Sequence, residues 1–551
     1  MNAIGEAKSK LRRGELDQAV KLCGEILRSM PAHLASLQIL EVACKMWVGQ
    51  GQYDTAAACF ELMLVHLPDS ADLHLNLAAA RIRQGERRRA VEALREAVRL
   101  RADWIEAHYY LALTLEELGE FESAASQWRR VLQLKPDHGS ALFHLGSALC
   151  ELGDASGGDA CLTQARHAPA NSILCNDLGM RSLNKGQVDE AVKELSQATI
   201  LDPGFAAAWM NLGIAQMRQG MVHESLSSFR TCISLEPGRA EAHWNYSGAL
   251  LAVGDWIQGW REYEWRIRCP EFREGIRAFD RPVWQGENLR NRTILLHDEQ
   301  GYGDTIQFMT YAPLLADRGA YIIVLCDKAM ERLLRGVAGV KQVLIDNDAL
   351  PPFDYHISLP SLPHRLATTL ETVPRSVPYL KAEARLRRLW SQELPDKKAR
   401  LRVGLAWCGN AKPNPDRSMH AAFLKPLIAF EGAVFHSLQK AMEGISVRPP
   451  EGMKIVDYSA EISDFADTAA LIANMDLVIT IDTAVAHLAG AMGKPTWLML
   501  PYAADWRWLL KREDSPWYPT MRLFRQDRPG DWEGVILRVR DQLSKLRTRE
   551  K

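Results

Sequence analysis

His297-Asp298-Glu299-Gln300-Gly301-Tyr302-Gly303-Asp304-Thr305 and Thr480-Ile481-Asp482-Thr483-Ala484-Val485-Ala486-His487 decide how the second half of this chain is read. The first follows the apolar run Thr293-Ile294-Leu295-Leu296 and the second follows Leu477-Val478-Ile479, short runs of the kind buried strands show. Each precedes a segment with helical spacing. A strand that breaks at Gly or Asp into a helix leaves free backbone N–H groups at the helix N-terminus, where the dipole favours an anion. Two such junctions about 180 residues apart predict two facing halves with a phosphate-bearing ligand between them. An enzyme acting on a nucleotide-linked substrate is the reading they suggest.

Outward from these junctions, strand-like runs at 321–325, 342–345, 355–358, 402–406, 434–437, 454–456 and 496–500 alternate with helical spacing. Alternation of this kind predicts parallel, doubly wound sheets with ligands beyond the carboxyl ends of the strands. A Pro- and charge-rich stretch near 380–400 divides the region into lobes at 291–385 and 400–551, preceded by a linker at 271–290.

The first half repeats itself. Glycines recur at Gly14, Gly51, Gly85, Gly119, Gly153, Gly186, Gly220 and Gly254, and prolines come in phase at Pro31, Pro68, Pro136, Pro169, Pro203 and Pro237. Five residues after the glycines stand Ala19, Ala56, Ala90, Ala124, Gly158, Ala191, Ser225 and Gly259, small enough to let two helices approach closely. The glycine ends one helix in a left-handed turn, and the proline interrupts the chain between units. This pattern resembles the tetratricopeptide repeat and covers residues 2–270, about eight helix pairs. The resemblance implies an α-helical superhelix whose concave groove holds a peptide or protein segment. Asn76, Asn176, Asn211 and Asn245 read as recurring at one position of the repeat. They serve either as solvated or capping polarity on the inner helix or as a ladder that grips a partner's backbone. The aromatic unit from Gly254 to Arg266 reads as the weld between the repeats and the α/β half.

Composition narrows the classes. The 551 residues carry 67 Lys plus Arg against 68 Asp plus Glu, which argues against a general binder of nucleic acid or membrane surfaces. Ten scattered cysteines without a C-x-x-C pair fit reduced thiols better than a disulfide frame or zinc site. No signal-peptide core and no membrane-length apolar run are evident. The expectation is a soluble, cytoplasmic protein with no membrane span.

Gly301-Tyr302-Gly303-Asp304-Thr305, Gly404-Leu405-Ala406-Trp407-Cys408-Gly409-Asn410 and Asp482-Thr483-Ala484-Val485-Ala486-His487 resemble the heptosyltransferase-like glycosyltransferases of GT-B fold, over residues 290–540. The fusion to tetratricopeptide repeats is shared with O-linked N-acetylglucosamine transferases and bacterial flagellin glycosyltransferases. The resemblance implies two Rossmann-like lobes and inverting transfer from a nucleotide sugar, which is a substrate and not a cofactor. No metal is implied, and the histidines show no metal-ligand spacing. By resemblance Asp304 is the catalytic base, although Asp at this place is also a favoured helix cap. Asp482 and Thr483 open a helix that suits phosphate, with Asp482 itself suited to a cap or to a sugar hydroxyl. His487 is either a structural histidine or a phosphate contact. Arg417, with Lys412 as second choice, is the cation expected to neutralise the leaving phosphate, and Gln439 is expected near the base or ribose. The acceptor is a protein hydroxyl recruited by the repeats, for example on flagellin. The alternatives are a lipopolysaccharide-type or lipid-linked glycan acceptor, and a non-catalytic scaffold with a degenerate GT-B half.

Overall fold

The computed structural model describes residues 2–31, 33–394, 401–410, 414–428, 430–440 and 448–549. They form two compact units, Met1–Pro203 and Gly204–Lys551. The first unit is helical. Among its described residues twelve helices run from Asn2–Arg12 to Val188–Leu201 as six antiparallel pairs. Each repeat glycine of this unit has a positive φ, between 73° and 86°, so a left-handed residue closes each first helix as expected. Ala19, Ala56, Ala90, Ala124 and Ala191 are completely buried where the paired helices meet. In the fifth pair both facing positions are glycine: a Cβ on Gly158 would lie 2.8 Å from the Gly146 carbonyl oxygen and 2.5 Å from Cys150 Sγ.

The structure corrects the asparagine register. Counted from the packed glycines Gly146, Gly179 and Gly213, the position of Asn211 is held by His144 and Asp177, and Asn176 stands one residue out of phase. The inner-helix position in this unit therefore reads Asn76, Tyr110, His144, Asp177. His144 stacks on Trp128 and lies between Glu116, at 3.0 Å, and Asp177, at 3.5 Å. Burial opposes its charge, but the two carboxylates overcome burial and lift its pKa to about 9.

The second unit begins inside the repeats, with helices Ala206–Gln219, Val222–Leu235, Ala240–Val253 and Trp256–Tyr263. These belong with the α/β region because their aromatic face is buried in it. Trp256 stacks on Trp517 with ring centroids 5.3 Å apart, and Trp260 meets Trp506 edge-on at 5.1 Å.

Two all-parallel sheets complete this unit. The first contains β1 (Thr293–His297), β2 (Tyr321–Leu325), β3 (Val340–Leu344) and β4 (Tyr355–Ser358), in the order β3-β2-β1-β4. The second contains β5 (Leu401–Ala406), β6 (Ala433–Ser437), β7 (Ile455–Asp457), β8 (Leu477–Ile481), β9 (Thr496–Leu500) and β10 (Met521–Arg525), in the order β10-β9-β8-β5-β6-β7. The sheets have the two-lobed GT-B form. β10 is a strand that the apolar runs of the sequence do not predict. It lies at the sheet edge, and its buried Met521, Leu523 and Phe524 are interrupted by Arg522 and Arg525, so it lacks a continuous apolar run. In each sheet the chain reverses direction beside its first strand. This leaves one crevice beyond β1 and β4 and another beyond β5 and β8, where doubly wound sheets bind ligands.

Candidate active site

β1 runs into helix Tyr302–Phe308, and β8 runs into helix Ala484–Ala491; the N-terminal ends of these helices abut. A Cβ on Gly303 would lie 2.9 Å from His487 Cδ2 and 3.8 Å from Ala484 Cα, so a larger residue has no room there. Gly303 thus owes its place to this close approach, since it lies outside the positive-φ region.

Asp304 is the third residue of its helix and does two things at once. Its Oδ2 accepts from the Gly301 backbone N–H at 3.1 Å, closing the capping interaction. Its Oδ1 receives the guanidinium of Arg507, which arrives from the loop after β9. Arg507 also donates to Asp505 at 2.8 Å and to the Gln307 side-chain oxygen at 2.7 Å, and its side chain is only 11% exposed. Burial raises the pKa of Asp304, and Arg507 pulls it back only in part, so it stays above the ordinary aspartate value. Near this carboxylate, the side-chain N–H groups of Gln300 and Gln307 are buried without an acceptor among the described residues. Arg507 is the residue sequence reasoning missed. It stands inside Asp505-Trp506-Arg507-Trp508, a run that reads either as a cleft wall stacking on a sugar or base or as core packing, and both tryptophans are buried.

The second crevice holds most of the predicted donor residues. Thr483 is the N-cap of helix Ala484–Ala491, but its hydroxyl makes no capping bond and lies 3.5 Å from Thr480 Oγ1. Its methyl faces Gly409, where a Cβ would sit 2.8 Å away. Arg417, in the turn Pro415–Arg417, donates through Nε and Nη2 to the Asn410 carbonyl at 3.1 and 2.9 Å. Lys412 lies outside the described residues. Asp482 lies just past β8, its side chain 13% exposed. Burial first, then the neighbouring Asp505 charge, pushes its pKa up to about 6, against the pull of Arg507 and Arg417. His487 Nδ1 is bound to the Tyr518 hydroxyl at 2.9 Å, and Nε2 lies 3.8 Å from Asp482 Oδ1. Burial and the two guanidiniums hold its pKa far below the usual range, so it is a neutral imidazole.

Gln439 departs from expectation. Its Oε1 accepts from the Trp407 and Cys408 backbone N–H groups at 3.2 and 2.9 Å. Its Nε2 donates to the Cys408 and Lys440 carbonyls at 2.9 and 3.4 Å. It is 5% exposed and fully bonded, so it braces the turn after β5 and is not free to read a base. Among the asparagines, Asn245 bonds the Glu241 carbonyl at 2.8 Å and Asn176 bonds Asp177 at 3.3 Å. No cluster of three or more His, Cys, Asp or Glu side chains among the described residues is arranged to hold a metal ion.

The model of Glycosyltransferase family 9 (heptosyltransferase) matches residues 451–497, the segment that carries β7, β8 and the turn from Asp482 to His487. Tetratricopeptide-repeat models match residues 48–114, 105–138, 183–220 and 206–239. The chain thus carries tetratricopeptide repeats and, in its α/β region, a segment similar to the glycosyltransferase family 9 model. The chain is 28% identical to Protein FlbA of Caulobacter vibrioides over 328 residues, 53% of this chain and 52% of that protein. It thus spans about half the length of the curated relative it matches. Among solved structures it is similar to MamA (22% identity, 29% of this chain and 92% of that one, TM-score 0.25). It is also similar to a tetratricopeptide repeat protein from Parabacteroides merdae (14% identity, 45% and 98%, TM-score 0.37). Likenesses this slight carry no functional conclusion. No helix among the described residues is long and apolar enough to cross a membrane.

Proposed function

We propose that this protein is an inverting, metal-independent glycosyltransferase that moves a sugar from a nucleotide-sugar donor to a hydroxyl of a protein acceptor. Asp304 takes the hydroxyl proton as that oxygen attacks the anomeric carbon from the face opposite the leaving group. The anomeric C–O bond to phosphate breaks, and its electron pair leaves with the nucleotide. Arg507, Arg417, the Thr483 hydroxyl and the helix N-terminus behind it stabilise the charge that develops there. The observation that carries this reading is the pairing of a buried carboxylate after β1 with a buried guanidinium after β9, beside the helix that begins the family-matched turn. The repeats favour a protein acceptor, for example flagellin or another surface protein modified in the cytoplasm. The heptosyltransferase match favours, as a second reading, a lipopolysaccharide-type glycan.

Calorimetry with ADP, GDP, UDP and CMP and their sugars tests the donor site, comparing wild type with Arg417→Ala. One nucleotide should bind wild type and lose at least about tenfold in the variant. Mass spectrometry of an acceptor protein incubated with that donor, with Asp304→Ala as the inactive control, tests the transfer. No binding of any nucleotide would overturn the reading in favour of a non-catalytic scaffold.

A further inference from the structure

The crevice beyond β1 and β4 is occupied by the protein itself. The guanidinium of Arg266, at the end of the last repeat, enters it and is completely buried. Nε and Nη2 grip Glu299 at 2.7 and 2.8 Å. Nη2 also reaches Ser358 at 3.0 Å and Ser361 at 2.7 Å, just past β4. Nη1 donates to Glu264 at 2.7 Å and to the Tyr263 carbonyl at 3.3 Å. Beside it the Tyr263 hydroxyl donates to the Gln300 side-chain oxygen at 3.0 Å. The backbone is pressed from the same side, because a Cβ on Gly275 would come within 2.9 Å of the Glu299 carbonyl oxygen. Glu299 and Gln300 immediately precede Gly301, whose N–H holds Asp304.

We propose that Arg266 and Tyr263 are positioning residues: the last repeat clamps the loop that aims Asp304 through Glu299 and Gln300. This rests on the reading of Asp304 as the base. A second strut reaches the opposite lobe, where Arg218 of helix Ala206–Gln219 pairs with Asp416 at 3.2 Å, next to Arg417. The terminal repeats therefore touch both the base loop and the phosphate loop, and whatever strains them is felt at the reacting groups. A guanidinium with all five N–H donors engaged suits this task, because its planar fork fixes orientation as well as distance.

The test uses full-length protein. Tyr263→Phe removes one hydroxyl and spares the fold; Glu299→Gln removes the charge while keeping the shape. Amide exchange is followed by mass spectrometry in peptides spanning 298–308 and, as reference, 477–500. Nucleotide release is measured with the ADP-, GDP-, UDP- and CMP-linked sugars, water serving as acceptor. The expected result is exchange about tenfold faster in 298–308 alone. With it, kcat should fall about ten- to hundredfold while donor KM holds, and Arg266→Lys should lie between wild type and Arg266→Met. Exchange that rises equally in both peptides, or a kcat within about twofold of wild type, would overturn the proposal. If wild type turns over no donor, the reading of Asp304 as base fails, while the exchange comparison still decides whether the last repeat holds the loop.

Discussion

The Asp304 carboxylate and the Arg507 guanidinium form a part-buried ion pair between the helix after β1 and the loop after β9, one from each sheet. The pair is also the place where the acid–base group and the leaving-group cation would meet. Arg507→Ala should lower kcat about 10²- to 10³-fold, the cost of losing one preorganised donor at a developing anion. It should also destabilise the fold by about 3–5 kcal/mol, because Asp304 and Asp505 lose a buried partner. Steady-state kinetics alongside thermal melts separates the two effects.

The pH profile derives from the same pair. As the proposed base Asp304 works as a carboxylate, so kcat/KM should fall as pH drops through its pKa. Burial places that pKa above the ordinary value of about 4. Replacing Arg507 by Met removes the pull that lowers it, and the acid limb should move to higher pH. A limb at or below the ordinary carboxylate value in both proteins would contradict the assignment.

Asp482 makes the opposite kind of demand, on stability. Its folded pKa of about 6 lies above the unfolded value. Its favourable contribution is therefore complete below the unfolded pKa and is lost as pH rises from about 4 through 6. Asp482→Asn should be more stable than wild type at pH 8, by at most about 3 kcal/mol, and the advantage should vanish near pH 4. Melting curves across that range decide it.

Gln439→Ala distinguishes a brace from a base reader. A brace predicts a loss of about 1–3 kcal/mol from the stranded N–H groups of Trp407 and Cys408. Preference among ADP, GDP, UDP and CMP should not change. A changed preference with an unaltered melting temperature would restore the base-contact role.

Gly303→Val should wedge the two lobes apart at His487, which Tyr518 holds in place. Overpacking of this kind costs about 1–3 kcal/mol, and activity should fall further than stability. Adding His487→Ala should recover the melting temperature but not the turnover.

The repeats and nine of the ten strands could be read from spacing alone, because glycine phase and apolar runs are local signals. β10 escaped because the exposed Arg522 and the half-buried Arg525 break the apolar run. The slip of Asn176 was countable in the sequence: Asn76, Asn211 and Asn245 stand nine residues before Gly85, Gly220 and Gly254, whereas Asn176 stands ten before Gly186. The junctions at Asp304 and Asp482 stood out as strand-to-helix breaks. Arg507 and Arg266 did not, since each acquires its meaning from a carboxylate far away in sequence: Arg507 meets Asp304 203 residues distant, and Arg266 meets Glu299 33 residues distant. Gln439 was visible at the right strand end, but its bonding to the neighbouring backbone was not.

The aromatic weld has a practical meaning for anyone cutting this gene product. A fragment starting at the first strand of the α/β region would lay bare Trp506, Trp517 and Phe308, which Trp256 and Trp260 now cover. It would also leave the Glu299 carboxylate without its counter-ion. Such a piece should express as aggregate, whereas one beginning at Gly204 keeps every one of these surfaces closed. The folding unit that carries the proposed site is longer than its sheets, and its first residues are spelled in the code of a repeat.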